Sequence, residues 1–216
     1  MKKNISIIPK YEDCPHKCWF CIWKGHKLEN VYGPSLKDIE TFLFKYNDLG
    51  YKRFSISGSD VVFEKLNEYK NWWNEINKIC DELNMQFDIH TKSRIYDKEF
   101  LKNRNLRKLV LSTEKVEDIK EYINWLKENI PNLKIRLVKV ITPDSFYLDI
   151  RKYCDLIIHY NIQMTFKQLT GYNDNGNYYL FKSKLENYHP NILFLNKGDY
   201  NIYLMPDGNE YEKFLI

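Results

Sequence analysis

No stretch of this chain is apolar for long enough to cross a bilayer, which takes about 20 such residues, so membrane-spanning architectures and a membrane partner drop out. The opening MKKNISIIPKYEDCPH has basic residues but only a short apolar patch, not the core of a secretory leader, and a cytoplasmic location is expected. Linkers, sequence repeats and low-complexity segments are also missing. A chain of 216 residues is then most economically one domain, with residues 1–170 as core and 171–216 as an extension packed on it. Blocks of one charge are absent too: 33 basic residues are scattered among 29 acidic ones, for a net charge of +4. Nothing there argues for nucleic acid, while the slight positive balance admits an anionic substrate. Cysteine is sparse, and its count of five is odd. In a chain without a leader, that pattern favours metal binding over a disulfide framework.

What the chain does have is Cys14-Pro-His-Lys-Cys18-Trp-Phe-Cys21, three thiols in eight residues, inside a loop from residue 10 to 34 that follows a short apolar strand. Thiolates at this spacing converge on one soft metal centre, and three readings compete. Cys14, Cys18 and Cys21 with His16 or His26 satisfy a tetrahedral zinc. A fourth cysteine from afar would complete an electron-transfer cluster. Three cysteines alone would hold a 4Fe-4S cluster with one iron lacking a protein ligand. Cys80 and Cys154 sit on apolar helix faces and read as core packing. His16 and Lys17 read as facing solvent.

Strand and helix patterns alternate along the chain. Strands are expected at 5–8, 53–57, 86–90, 108–112, 134–141 and 162–168. The first helix starts at Ser35, with Asp38 completing a capping-box-like pair and Ile39, Phe42, Leu43 and Tyr46 on one face. Further helices are expected at 66–83, 97–102 and 116–128, and after Pro143, where Tyr147, Ile150, Cys154, Ile157 and Ile158 share a face. Six alternations argue for an α/β fold, a parallel sheet wrapped by helices and open or curled into a partial barrel. In the tail, 192–195 and 201–205 flank Asn196-Lys-Gly-Asp199, which reads as a hairpin turn, and Pro206-Asp-Gly208 marks a second turn.

Several strands alternate polar and apolar residues: Ser55 and Ser57 against Phe54 and Ile56, Asp88 and His90 against Phe87 and Ile89, Gln163, Thr165 and Lys167 against Met164 and Phe166. Strands covered on both faces are nearly all apolar, so the polar set implies a lined cavity. Strand five fits less cleanly, with Arg136 and Lys139 on opposite faces. Ligands of parallel α/β folds gather at strand carboxyl ends, which singles out Ser57, His90, Lys92, Ser112, Thr142 and Lys167.

The spacing Cys14-x3-Cys18-x2-Cys21, with Phe20 before the last cysteine and the motif after strand one of a βα series, resembles the signature of the radical S-adenosylmethionine superfamily. The resemblance covers roughly residues 1–170. It implies a partial (βα)6 barrel with a short C-terminal α+β hairpin extension, and an oxygen-sensitive oxidoreductase or lyase. Cys14, Cys18 and Cys21 would hold a 4Fe-4S cluster whose open iron binds S-adenosylmethionine. Reductive cleavage would give a 5′-deoxyadenosyl radical that abstracts a substrate hydrogen, with electrons from a flavodoxin- or ferredoxin-like donor. By the same resemblance Phe20 belongs to the cofactor site. Ser57-Gly58-Ser59-Asp60 stands where members carry a Gly-Gly-Glu-like turn for the cofactor's amino end, and Ser112 and Glu114 stand at the ribose positions. His90, Lys92 and Lys167 are the candidate catalytic residues, suited to a small anionic or nucleotide-like substrate. A glycyl-radical-activating type of enzyme acting on a protein partner is the alternative within the family. A zinc-binding interaction module is the alternative outside it.

Overall fold

The computed structural model describes residues 4–9, 14–16, 18, 33–113, 115–142, 150–168, 176–185, 187–195 and 201–212. In chain order the elements are β1 (Asn4–Ile7), α1 (Leu36–Asp48), β2 (Arg53–Ile56), α2 (Val61–Glu64), α3 (Lys70–Leu83), β3 (Gln86–Thr91), α4 (Lys98–Leu101) and β4 (Leu106–Ser112). They continue with α5 (Glu117–Asn129), β5 (Lys134–Ile141), α6 (Ile150–Tyr160), β6 (Gln163–Gln168), α7 (Asn177–Leu185), β7 (Ile192–Leu195), β8 (Asn201–Leu204) and β9 (Glu210–Tyr211). The chain forms two compact units, Met1–Leu109 with Tyr200–Ile216, and Val110–Asp199. No helix among the described residues is long and apolar enough to cross a membrane.

In the first unit the strand order β3-β2-β1-β8-β9 is parallel except for the last pair. Register sorts the side chains into rows. Phe54 lies opposite Phe87 and Ile56 opposite Ile89, all buried, with the Phe54 and Phe87 rings 5.9 Å apart. Each such side chain removed from water contributes about 1.5–3 kcal/mol. On the other face Ser6 lies opposite Ser55, which lies opposite Asp88. These polar groups are buried and only partly answered: the Ser6 and Ser55 hydroxyls are 2.7 Å apart and Arg107 donates to Asp88 Oδ2, while Asp88 Oδ1 has no hydrogen-bond partner among the described residues.

Helix α1 forms as its sequence dictates. Ser35 accepts from the Asp38 amide at 3.1 Å and Asp38 accepts from the Ser35 amide at 2.9 Å, closing the capping box, while Ile39, Phe42, Leu43 and Tyr46 are buried. Tyr46 donates to Glu210 at 2.9 Å, tying α1 to β9. The helix expected over 66–83 forms as α3 but starts later, at Lys70, and a short helix that was not expected, α2, precedes it. Val61, Val62 and Phe63 are buried in α2, and Trp73 of α3 folds back on them, its indole donating to the Val62 carbonyl at 3.0 Å.

The hairpin expected around 196–199 is not formed by its flanking strands. β7 pairs in parallel with β6, whereas β8 pairs in parallel with β1, Asn4 opposite Asn201. The tail's antiparallel hairpin is β8 with β9, around Pro206-Asp-Gly208, where Gly208 has φ +77°. Tyr203 and Met205 pack on Ile8 and Tyr211.

In the second unit β5, β6 and β7 run parallel in that order. Phe166 stacks on Phe194 at 5.4 Å, and Tyr178 meets Phe194 edge-on. Helix α6 buries Tyr153, Cys154, Leu156 and Ile157, but Ile158, expected on that face, is 53% exposed. At about 100° per residue, Ile158 falls beyond the arc that those four side chains cover. Pro143, Asp144 and Tyr147 lie outside the described residues. On β5, Arg136 donates to the Gln163 amide oxygen at 3.1 Å, while Lys139, in register with Phe166, is buried.

Candidate functional site

Three segments of the first unit meet at the carboxyl end of its strands. The first is the thiol loop after β1, of which Cys14, Pro15, His16 and Cys18 are described; Lys17, Phe20, Cys21 and His26 lie outside the described residues. Cys14 and Cys18 are half-buried. The second is the turn after β2. The Ser57 amide donates to the Ile7 carbonyl at 3.0 Å and its hydroxyl lies 3.1 Å from that of Ser6, so the turn is fastened to β1. Gly58 has φ +115°, and a Cβ there would stand 2.7 Å from Ile8 Cγ2. Ser59 and Asp60 are buried. The third segment, Thr91-Lys92-Ser93, ends β3 and follows the half-buried His90.

One carboxylate joins the three segments. Asp60 Oδ2 accepts from Thr91 Oγ1 at 2.9 Å, from the Lys92 and Ser93 amides at 2.6 and 2.9 Å, and from Ser93 Oγ at 3.1 Å. His16 Nε2 stands 3.1 Å from the same oxygen and 3.0 Å from Ser93 Oγ. A carboxylate only accepts, so Nε2 carries the proton in this contact. His16 is therefore not the solvent-facing residue expected of its place in the loop; the interior acceptor draws it in. Lys92 extends to Cys18, with Nζ 3.8 Å from Sγ. A cleft of about 400 Å³ opens alongside, between Phe63–Glu68 and Arg94–Asp97.

The remaining cysteines are chemically different. Burial, with Asp81 adding to it, pushes the Cys80 thiol up to about 12, and burial with Asp155 raises Cys154 as well. Both are thus held as protonated core side chains. Among the described residues no three His, Cys, Asp or Glu side chains gather for a metal, Cys21 being outside them.

In the second unit the singled-out residues stand at the carboxyl ends of their own strands. Ser112 ends β4 and is exposed, and Glu114 lies outside the described residues. Thr113 is held by its amide to the Val138 carbonyl at 3.0 Å and by its hydroxyl to the Lys115 carbonyl at 2.6 Å. Thr142 is buried after β5. Lys167 is half-buried on the face of β6 that also carries Thr165, whose buried Oγ1 has no hydrogen-bond partner among the described residues.

SuiB from Streptococcus suis, in its crystal structure bound to S-adenosylmethionine, matches 91% of this chain and 51% of its own, at 21% identity and a TM-score of 0.62. The chain has the fold of SuiB. SuiB bound to the precursor peptide SuiA matches likewise, over 89% of this chain and 49% of its own, at 19% identity and a TM-score of 0.63. The chain spans about half the length of SuiB. The α/β class expected from the sequence, parallel strands alternating with helices, is therefore the fold observed. No protein-family model matches the chain, and no curated protein matches it in sequence.

Proposed function

We propose that this chain is a radical S-adenosylmethionine enzyme in which Cys14, Cys18 and Cys21 hold a 4Fe-4S cluster. One observation carries the reading: Cys14 and Cys18 stand half-buried after the first strand of a fold shared with a protein whose crystal structure contains S-adenosylmethionine. The donor chemistry fits a cluster. Thiolates are its usual ligands, the Lys92 ammonium stands 3.8 Å from Cys18 Sγ, and burial holds Cys80 and Cys154 as core thiols. Together the cluster and cofactor would supply reductive cleavage to a 5′-deoxyadenosyl radical, which takes a hydrogen atom from the substrate.

The chain's own part is to bind, orient and shield. The Ser57–Asp60 turn, drawn close to β1 by a glycine that leaves no room for a Cβ, presents backbone groups for the cofactor's amino end. Asp60 commits Oδ2 to the protein, and among the described residues Oδ1 has no partner. Phe20, Ser112 and Glu114 complete the cofactor contacts in this reading, with a flavodoxin- or ferredoxin-like protein as electron donor. His90, Lys92 and Lys167 are the substrate-side candidates, and they suit a small anionic or nucleotide-like molecule. A peptide substrate is the second reading, favoured by the structure of SuiB with its precursor peptide.

The test is anaerobic reconstitution with iron and sulfide. A brown protein that releases 5′-deoxyadenosine from S-adenosylmethionine under reduction is expected. Cys18→Ala should lose cluster and cleavage while keeping its far-ultraviolet dichroism. A colourless, redox-silent protein binding one zinc would replace this reading with a zinc-binding interaction module.

A further inference from the structure

Asp60 sits at the position before α2 where an aspartate ordinarily accepts from the first amides of its own helix, yet it makes no such bond. Instead its carboxylate, 4% exposed, sends one oxygen to five donor atoms on two other segments. Local capping has been given up for long-range ties. A short helix can lose a cap at small cost, whereas two backbone amides buried in a turn need an acceptor.

The segments so joined are those that flank the thiols. His16 is two residues from both Cys14 and Cys18, so fixing its ring fixes the middle of the intervening loop. Lys92 is pinned from both sides, its amide to Asp60 at 2.6 Å and its carbonyl accepting from Arg94 Nη1 at 2.6 Å, and from that anchored backbone its ammonium reaches Cys18. Ser93 Oγ bonds both Asp60 and His16, cross-bracing the two segments.

The geometry points to Asp60 as a positioning residue: through His16, midway between Cys14 and Cys18, and through the Thr91-Lys92-Ser93 turn beside Cys18, it fixes the surroundings of these two thiols before any metal arrives. This rests on the functional reading above only for the identity of the metal group. Supporting groups that lock ligand-bearing elements are the general means by which a site is kept in productive geometry. Nothing in the tie requires the metal, and its first consequence is measurable in the metal-free chain.

The experiment uses Asp60→Ala, Asp60→Asn and His16→Ala, each first checked by dichroism and thermal melting. In the metal-free chain, amide exchange at residues 92 and 93 should quicken roughly tenfold in Asp60→Ala, the scale of a lost charge-assisted hydrogen bond. It should stay near wild type in His16→Ala, which leaves the turn intact. Asp60→Asn keeps a carbonyl oxygen for the same donors and should restore most of the protection. His16 is outside the core, so His16→Ala remains informative if Asp60→Ala fails to fold. After reconstitution, iron should be stripped by a chelator severalfold faster from His16→Ala and Asp60→Ala than from wild type, with Asp60→Asn between. Unchanged exchange in a folded Asp60→Ala, or unchanged iron loss in His16→Ala, overturns the proposal. If wild type takes up no cluster while the exchange differences appear, the functional reading fails and the tie stands; a stable cluster in every variant gives the reverse.

Discussion

Replacing Gly58 by alanine tests the tight approach of the β2 turn to β1. Two costs add. At φ +115° an L-residue is strained, by about 1–3 kcal/mol for such backbone conformations. The added methyl would also lie 2.7 Å from Ile8 Cγ2, a contact with a wholly buried side chain that must shift, and overpacking of that kind costs about 1–3 kcal/mol. The sum, about 2–6 kcal/mol, is a large share of the roughly 5–15 kcal/mol that holds a typical domain folded. For a chain of this size it lowers the melting temperature by roughly 5–20 °C. Thermal and urea unfolding of the metal-free chain, followed by dichroism under reducing conditions, reads the effect directly. Leucine has no β-branch methyl, so Ile8→Leu removes Cγ2 at nearly constant volume. In the double mutant Gly58→Ala/Ile8→Leu the clash is relieved and the strain remains, giving a favourable coupling of about 0.5–3 kcal/mol. A Gly58→Ala protein within about 0.5 kcal/mol of wild type would refute the close approach, and strict additivity would place the cost elsewhere than Ile8.

Iodoacetamide at pH 8 on the native, metal-free chain should modify Cys14 and Cys18 well before Cys80, whose thiol burial holds near 12, and Cys154; peptide mapping that finds Cys80 labelled as fast as Cys18 would count against the assignment. Alkaline stability carries a definite sign. Burial, then the bond to Glu210, raises Tyr46 above its ordinary value near 10, and burial raises Tyr203, so the folded state favours both neutral phenols. Their contribution is complete below pH 10 and is lost as pH rises beyond it, because the unfolded chain ionises first. Urea unfolding from pH 8 to 11.5 should show that decline, flattened in Tyr203→Phe; an equally steep decline in the variant would exclude Tyr203 as a source.

Local chemistry is what the sequence makes legible. The capping box of α1 is written within four residues, and the alternation on β2, β3 and β6 foretells which side chains are buried together, because strand register follows the pleat. The thiol motif was likewise readable as a string. The misses are all non-local. The short α2 is held by the Trp73 indole, eleven positions on from Val62, and β8 pairs with a strand at the opposite end of the chain rather than with the strand just before it. His16 was misplaced for the same reason: its partners are 44 and 77 positions away, and no periodicity links them. An aspartate that declines its own helix leaves no mark in the sequence, since at that position it looks like a cap.

The pairing of β1 with β8 also sets an order of events during synthesis. The strand that leads into the thiol loop has β2 on one side as soon as the first fifty-odd residues emerge, but its other neighbour begins about 200 residues later. Until then Ile8 lacks Tyr203 and Met205, its packing partners, and the loop hangs from a strand with one open edge. Under the proposed reading, cluster assembly at the loop would follow the pairing of β8 with β1 rather than the emergence of the thiols.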